Sequence, residues 1–205
     1  MKSATAGQTR KRLDPAVRAG HILNVALKLF AERHYSTVSM RDIAEACGIN
    51  AGLIYYYYTN KGDLLRRSLA YAIAELQAGY EAGPHSDPAQ ELTAWLKAHI
   101  PIAPMLIHMV KIMSDYAAAN IKDEEVEQMI RDFYAREQAV LENCLSRGIA
   151  QGLFRKLNVA QTARAISLQL DGIFYASQAR GDNHITQDLE SLCAIVTSLT
   201  RKVRK

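Results

Sequence analysis

The 205-residue sequence has no apolar run near the ~20 residues a membrane-spanning helix needs. Its first residues, MKSATAGQTRKRL, lack an apolar stretch of signal-peptide type, so a soluble, cytoplasmic protein is expected. There are only three cysteines, Cys47, Cys144 and Cys193, far apart and each on the apolar stripe of an expected helix. Such spacing reads as buried free thiols, with a redox sensor as the alternative. The sequence has no Gly-rich phosphate loop, no H-E-x-x-H, no C-x-x-C and no G-x-S-x-G, so these local warrants for an enzyme are missing. No catalytic residue, metal or cofactor is assigned. No segment alternates apolar and polar residues as a half-buried strand does. The expected class is therefore all-α, with about nine helices.

What is there centres on Ser39 to Lys61, SMRDIAEACGINAGLIYYYYTNK. Ser39 is a good N-cap, and Asp42 three residues on can reach back to it as a variant capping box. Ile43, Ala44 and Cys47 form one apolar stripe, and Gly48 can end the helix because it tolerates positive φ. Asn50 can cap a second short helix, which turns Ile54 and Tyr57 or Tyr58 inward. This is the layout of a helix-turn-helix, whose second helix is offered to the DNA major groove. The plainer reading is a helical hairpin in a core. Against it stand adjacent Tyr55 and Tyr56 on the outward face beside Lys61, which suit sugar, phosphate and base edges.

The run RDIAEACGINAGLIYYYYTNKGDLL resembles the DNA-binding signature of the tetracycline-repressor (TetR/AcrR) family of bacterial regulators. The matching elements are Ile43-Ala44, Ala46, Gly48-Ile49, Gly52, Ile54-Tyr55, an aromatic at Tyr58, Lys61 and Leu64-Leu65. They cover roughly the first third of the chain. The sequence departs from the common pattern at Ala51, Leu53 and Tyr58, where a longer polar or basic residue, a small polar residue and Phe are frequent.

Charge is unevenly placed. Residues 1–67 carry 11 Lys/Arg against 5 Asp/Glu, or +6, while the remainder carries 14 against 16, or −2; together these give the chain's +4. A basic end on a slightly acidic body, coinciding with a helix-turn-helix, points that end at DNA. Residues 1–13, with Arg10-Lys11-Arg12, read either as a solvated tail or as a disordered basic arm that follows the DNA.

The expected divisions are a DNA-binding domain over 14–62, a linking helix over 61–80, and a ligand-binding and dimerisation domain over 81–205. Asp14-Pro15 starts the first helix, which runs to about His34 with Ile22, Val25, Ala26, Leu29 and Phe30 inward. Asn60 and Asp63 cap the linking helix, which ends near Gly83-Pro84. Lys61 lies in its first turn, where a cation is unfavourable unless a phosphate faces it. In the body, Pro101 and Pro104 interrupt a helix. Near that break lie Trp95, Met105, His108, Met109, Met113 and Tyr116, which with Phe133 and Phe174 are the expected ligand-binding residues; a plain core helix is the alternative. His99, His108 and Asp115 form a conceivable metal site. The last two helices, about 159–180 and 185–201, are the expected homodimer face, or else both apolar stripes are buried within one protomer. The turn at Gly181-Asp182-Asn183 separates them.

The resemblance implies a dimer that binds a palindromic double-stranded DNA operator, most commonly as a repressor, and leaves it when a small effector enters the body. The expected effector is apolar or amphipathic. The expected DNA-facing residues are Thr37, Ser39, Tyr55 and Lys61 toward phosphates, and Arg41, Asn50, Leu53 and Tyr56 toward bases. Ala51 and Gly52 complete the expected DNA-binding set. A helical small-molecule- or metal-binding protein without specific DNA recognition is the competing reading.

Overall fold

The computed structural model describes residues 14–80, 87–118, 123–181 and 184–200. The expected basic arm over 1–13, the Gly83-Pro84 helix end, Asp182-Asn183 and residues 201–205 lie outside the described residues. Among the described residues there are nine helices and no strand, as the class reading expected.

Helix α1 (Pro15–Arg33) begins where Asp14 Oδ1 accepts the Ala16 N–H at 2.8 Å with Pro15 beside it. It buries Ile22, Ala26, Leu27, Leu29 and Phe30. The helix stops one residue short of His34, whose φ of 62° with ψ of 142° departs from the helix. That positive φ is sterically costly for a residue with a Cβ. The His34 ring Nδ1 lies 3.0 Å from Asp115 Oδ2, far along the chain.

Helices α2 (Met40–Ala46) and α3 (Ala51–Tyr57) follow as a short pair. Helix α4 (Lys61–Tyr80) then leads away from them. Its Leu64, Leu65, Leu69 and Ala72 are buried. Helices α5 (Pro88–Ala98) and α6 (Ala103–Ala118) meet at a bend of 78°. The break falls before Ala103, so Pro104 lies in the first turn of α6, where its missing N–H removes no helical bond. Only Pro101 sits in the interruption. No single helix among the described residues is long and apolar enough to cross a membrane.

Helix α7 (Glu124–Ala150) is capped by Asp123, whose Oδ1 accepts from the N–H groups of Glu125 and Val126. Helices α8 (Val159–Arg180) and α9 (Ile185–Thr200) complete the chain. Helix α7 packs on α5 and α8, and α9 packs on α5 and α8.

Two routes join the first three helices to the rest. One is α4, which packs on α1 and also on α5, α6 and α7. The other, not foreseen, is α1 itself, which lies along α6. Ion pairs lock the junction. Arg66 on α4 reaches Asp123 at 2.8 Å and Glu125 at 2.9 Å, at the start of α7.

Candidate functional site

The helix pair is built as its local spacing demands. Ser39 Oγ accepts the Asp42 N–H at 3.2 Å, and Asp42 Oδ2 accepts the Ser39 N–H at 2.7 Å, completing the box. The Ser39 hydrogen bonds hold the Asp42 carboxyl below its ordinary value. Gly48 takes φ +63° in the turn, a conformation that strains any residue with a Cβ. Asn50 Oδ1 accepts the Gly52 N–H at 2.7 Å. A Cβ on Gly52 would sit 3.2 Å from that same oxygen, so glycine leaves room for the cap. Ile43, Ala44, Ile54 and Tyr58 are buried and hold the pair against the protein. Of the two inward tyrosines considered, Tyr58 is the buried one, and its hydroxyl donates to Ala19 O at 3.3 Å. Burial pushes its hydroxyl up to about 12.

The outward face has a different character. Tyr55 and Tyr56 are 54% and 81% exposed, although both are large and aromatic. Arg41, Asn50 and Gly52 are exposed, while Ala51 and Leu53 are half-buried. Several polar groups expected to face DNA are engaged with the protein itself. The Ser39 hydroxyl donates to Asp42 Oδ2 at 2.7 Å. The Thr37 hydroxyl is directed at the carbonyls of Arg33 and His34. Lys61 Nζ donates to Tyr35 O at 2.9 Å and to Ser36 O at 3.4 Å, and lies 4.4 Å from the Tyr35 ring centre. The cation at the start of α4 therefore has partners within the chain, and the argument that it needs a phosphate there does not hold. The carbonyls and the ring compensate its position instead.

Deeper in the chain is a cavity of roughly 340 Å³ between α4, α5 and α7. Ile73 and Leu76 line it from α4, Trp95 from α5, and Phe133 and Val140 from α7. Gln77, Arg136 and Glu137 add polar groups. Its volume is within the range of about 300–1,000 Å³ typical of small-molecule sites. A smaller space of roughly 150 Å³ lies at the junction of α1, α4 and α6, bounded by Phe30, His34, Leu65 and Tyr116 among others.

Of the residues expected to bind a ligand, Trp95 and Phe133 line the larger cavity. The others are placed elsewhere. Met109 and Met113 are buried, and Met105 packs against the same core. Their helix packs chiefly on α1 and α8, away from the larger cavity, so the methionine-rich stripe fills a helix interface there. Burial lowers the basicity of His108, which feels the charges of Glu32 and Lys28 on α1. Tyr116 borders the smaller space, and Phe174 is buried with its ring 6.2 Å from His99. The conceivable metal trio does not assemble. His99 Nδ1 lies 2.9 Å from Trp95 O, whereas Asp115 meets His34 and Lys111. Among the described residues no group of three or more His, Cys, Asp or Glu could hold a metal ion.

The residue that sequence reasoning missed is Glu137. It falls in line with Ile130, Phe133, Val140 and Cys144 on α7, so a charge interrupting an apolar stripe was the available signal. Burial, opposed by a Ser167 hydrogen bond and by Arg164 and aided by the neighbouring Asp171, leaves the Glu137 carboxyl raised to about 7. Its Oε1 is buried and has no hydrogen-bond partner among the described residues. All three cysteines are free thiols, with Cys47 only half-buried; desolvation pushes Cys47 to about 11 and Cys144 to about 12. At neutral pH these thiols stay protonated and weakly reactive.

Residues 22–67 match the family model described as "Bacterial regulatory proteins, tetR family". The chain is 37% identical over 75 residues to the transcriptional regulator AcrR of Shigella flexneri, an alignment spanning 35% of each chain. It is 26% identical over 140 residues to the transcriptional repressor KstR2 of Mycobacterium tuberculosis, covering 67% of this chain and 70% of that one. The solved structure of the ketosteroid regulator KstR2 from the same organism superposes with a TM-score of 0.75 at 24% identity, over 96% of this chain and 98% of that one. AibR, solved with isovaleryl coenzyme A and operator DNA, superposes with a TM-score of 0.68 at 20% identity, over 87% and 97%. At these identities the two structures share the fold.

Proposed function

The chain belongs to the TetR family of bacterial regulatory proteins, and on that premise we propose that it is a ligand-released repressor acting as a dimer on a palindromic operator. The observation that carries the reading is the outward face of α3, where Tyr55 and Tyr56 stand exposed beside a buried Ile54. Residues 14–62 form the reading head, α4 the link and 81–205 the sensing and pairing body. Arg41, Asn50, Leu53 and Tyr56 face base edges, with Leu53 suited to a thymine methyl. Thr37, Ser39, Tyr55 and Lys61 lie along the phosphates, and Ala51 and Gly52 allow close approach. Lys61 directs two contacts at carbonyls, which leaves one of its three donors for a phosphate.

A single head reads few base pairs, each worth about 1–3 kcal/mol of discrimination, so pairing two heads is needed for a specific site. The α8–α9 face supports such pairing. Leu168 and Tyr175 are 54% and 56% exposed on one stripe of α8, with Gly172 between them open to space, and Ile195 on α9 is 55% exposed. In the family, the last two helices of each protomer pair as a four-helix bundle.

Release follows from α4. Its 20 residues run from Lys61, bonded to the connector before α2, to Ile73, Leu76 and Gln77 at the cavity. At about 1.5 Å rise per residue, Lys61 and these cavity-lining residues are roughly 18–24 Å apart. A molecule seated in the cavity pushes α4, moves the connector at Tyr35 and changes the spacing of the two heads. A coupling of about 1–3 kcal/mol is enough.

Binding of Arg41→Ala and Leu53→Ala to a panel of operator variants tests the head. Arg41→Ala is expected to weaken one set of base substitutions, and Leu53→Ala to relax preference at one position per half-site. Equal, sequence-independent losses in both variants would contradict these roles.

A further inference from the structure

The larger cavity is apolar on most of its wall, yet it is bordered by an acid that the described residues leave partly unsatisfied. Glu137 lines it together with Trp95, Leu76 and Phe133. One of its oxygens accepts from Ser167, while Oε1 is buried without a partner among the described residues. An unpaired buried acceptor is costly to leave unmade, and native proteins hold few of them. The surrounding charges are unbalanced in the same direction. Asp171 lies close enough to act on Glu137, and Arg164 is the cation acting on both. Tyr134 donates its hydroxyl to Asp171 Oδ1 at 3.2 Å and adds no charge at neutral pH. Arg136 also borders the cavity but is exposed to solvent, which screens it. With both carboxylates ionised, two negative charges face one cation, Arg164, which like Arg136 is exposed to solvent.

We infer that this cavity takes an apolar molecule bearing one positive charge, an alkyl or aryl amine, whose ammonium pairs with Glu137. The inference rests on the reading that a small molecule enters the body, and it names the chemical class of that molecule. Oε1 is closed to the cavity as the side chain stands, so a turn of the Glu137 carboxylate toward the cavity lets a cationic N–H supply the missing donor and balance the local charge, while the hydrocarbon part lies against Trp95, Leu76 and Phe133. Without such a guest, Glu137 relieves the imbalance by holding a proton, in keeping with its raised carboxyl. A carboxylate guest would add a third negative charge, and an alcohol would supply a donor but no charge.

The chain has one tryptophan, Trp95, which lines the cavity, so its fluorescence reports occupancy directly. The test titrates the purified full chain with octylamine, octanol and octanoate at about pH 8, where Glu137 is largely ionised. Octylamine is expected to bind roughly tenfold tighter than either of the others, as a charge-assisted hydrogen bond allows. In Glu137→Gln the preference of amine over alcohol should fall to within about twofold while octanol affinity holds. Val140→Phe, which narrows the cavity and keeps Trp95 as the one tryptophan, should weaken all three. Tightest binding of octanoate, an amine preference untouched in Glu137→Gln, or undiminished amine binding in Val140→Phe would each overturn the inference. Operator affinity with and without octylamine is measured separately. Selective amine binding that leaves DNA affinity unchanged would support the cavity chemistry and contradict the release mechanism instead.

Discussion

The head and the body treat their polar groups in opposite ways. In the head, the polar side chains complete the protein's own backbone. Ser39 and Asp42 cap each other's helix start, Asn50 caps α3, and Lys61 binds the carbonyls of the connector. What remains facing outward is Arg41 with the aromatic and small residues of α3, on a surface fixed from beneath by Ile43 and Ile54. In the body, a cavity lies against three helices, and Glu137 at its wall has a buried carboxylate oxygen with no partner among the described residues. The difference teaches a division of labour. A reader of DNA gains from being rigid before it binds, since ordering on contact subtracts from affinity. A sensor must be incomplete, because only a guest that completes it can shift a conformational balance.

Removing the head's internal support gives the largest expected effect. Ile54 is fully buried, and Ile54→Ala should destabilise the chain by about 2–5 kcal/mol, read by chemical denaturation. A loss below about 0.5 kcal/mol would mean that α3 is not held from beneath as described. In the body, completing the acid should stabilise. The carboxyl of Glu137 moves from an ordinary 4.5 to about 7 on folding, so the folded chain binds more protons between those values. Stability from this group is therefore present below about pH 4.5 and lost as pH rises through about 7. Asp171, Tyr134, Arg164 and Arg136 face the same region and set the background to that profile. Glu137→Gln is expected to flatten this part of the profile and to gain roughly 1–3 kcal/mol at about pH 8, seen as a raised midpoint of thermal unfolding. An unchanged profile would contradict the burial of an unsatisfied acid.

A smaller effect belongs to the cap. Ser39→Ala should cost about 1 kcal/mol, with the loss confined to α2 in amide exchange. Smallest of all in stability is Tyr56→Ala, expected within about 0.5 kcal/mol because the side chain is 81% exposed. The same change should nonetheless reduce operator affinity. A Tyr56→Ala protein that is equally stable and binds operator as well as the parent would sever α3 from the reading of DNA.

The head was legible in the sequence because its devices are local. Ser39 and Asp42 are three residues apart, Gly48 marks its own turn, and Asn50 sits two residues before the N–H it caps. The internal partners of Lys61 were not legible for the converse reason. Its partner carbonyl belongs to Tyr35, a residue 26 positions earlier, which no local pattern reveals. The body shows the same limit. Trp95 and Phe133 were expected near a ligand, but the cavity also needs Ile73 and Leu76, and only folding brings α4, α5 and α7 together. Periodicity shows that Met109 and Met113 point inward, not which helix they meet. They meet the interface with α1 and α8, because α1 extends past the head to pack on α6. Glu137 was visible as a charge within an apolar stripe, yet that its Oε1 has no partner among the described residues follows only from three-dimensional neighbours.

The most direct test of the account is selection of bound sequences from random double-stranded DNA by the purified chain near physiological salt. The account predicts a palindrome with half-sites about one helical turn apart, the footprint of two α3 helices held by one dimer. Recovery of no enriched sequence, with affinity that falls steeply as salt rises, would contradict it and reduce the head to a basic surface held by charge alone.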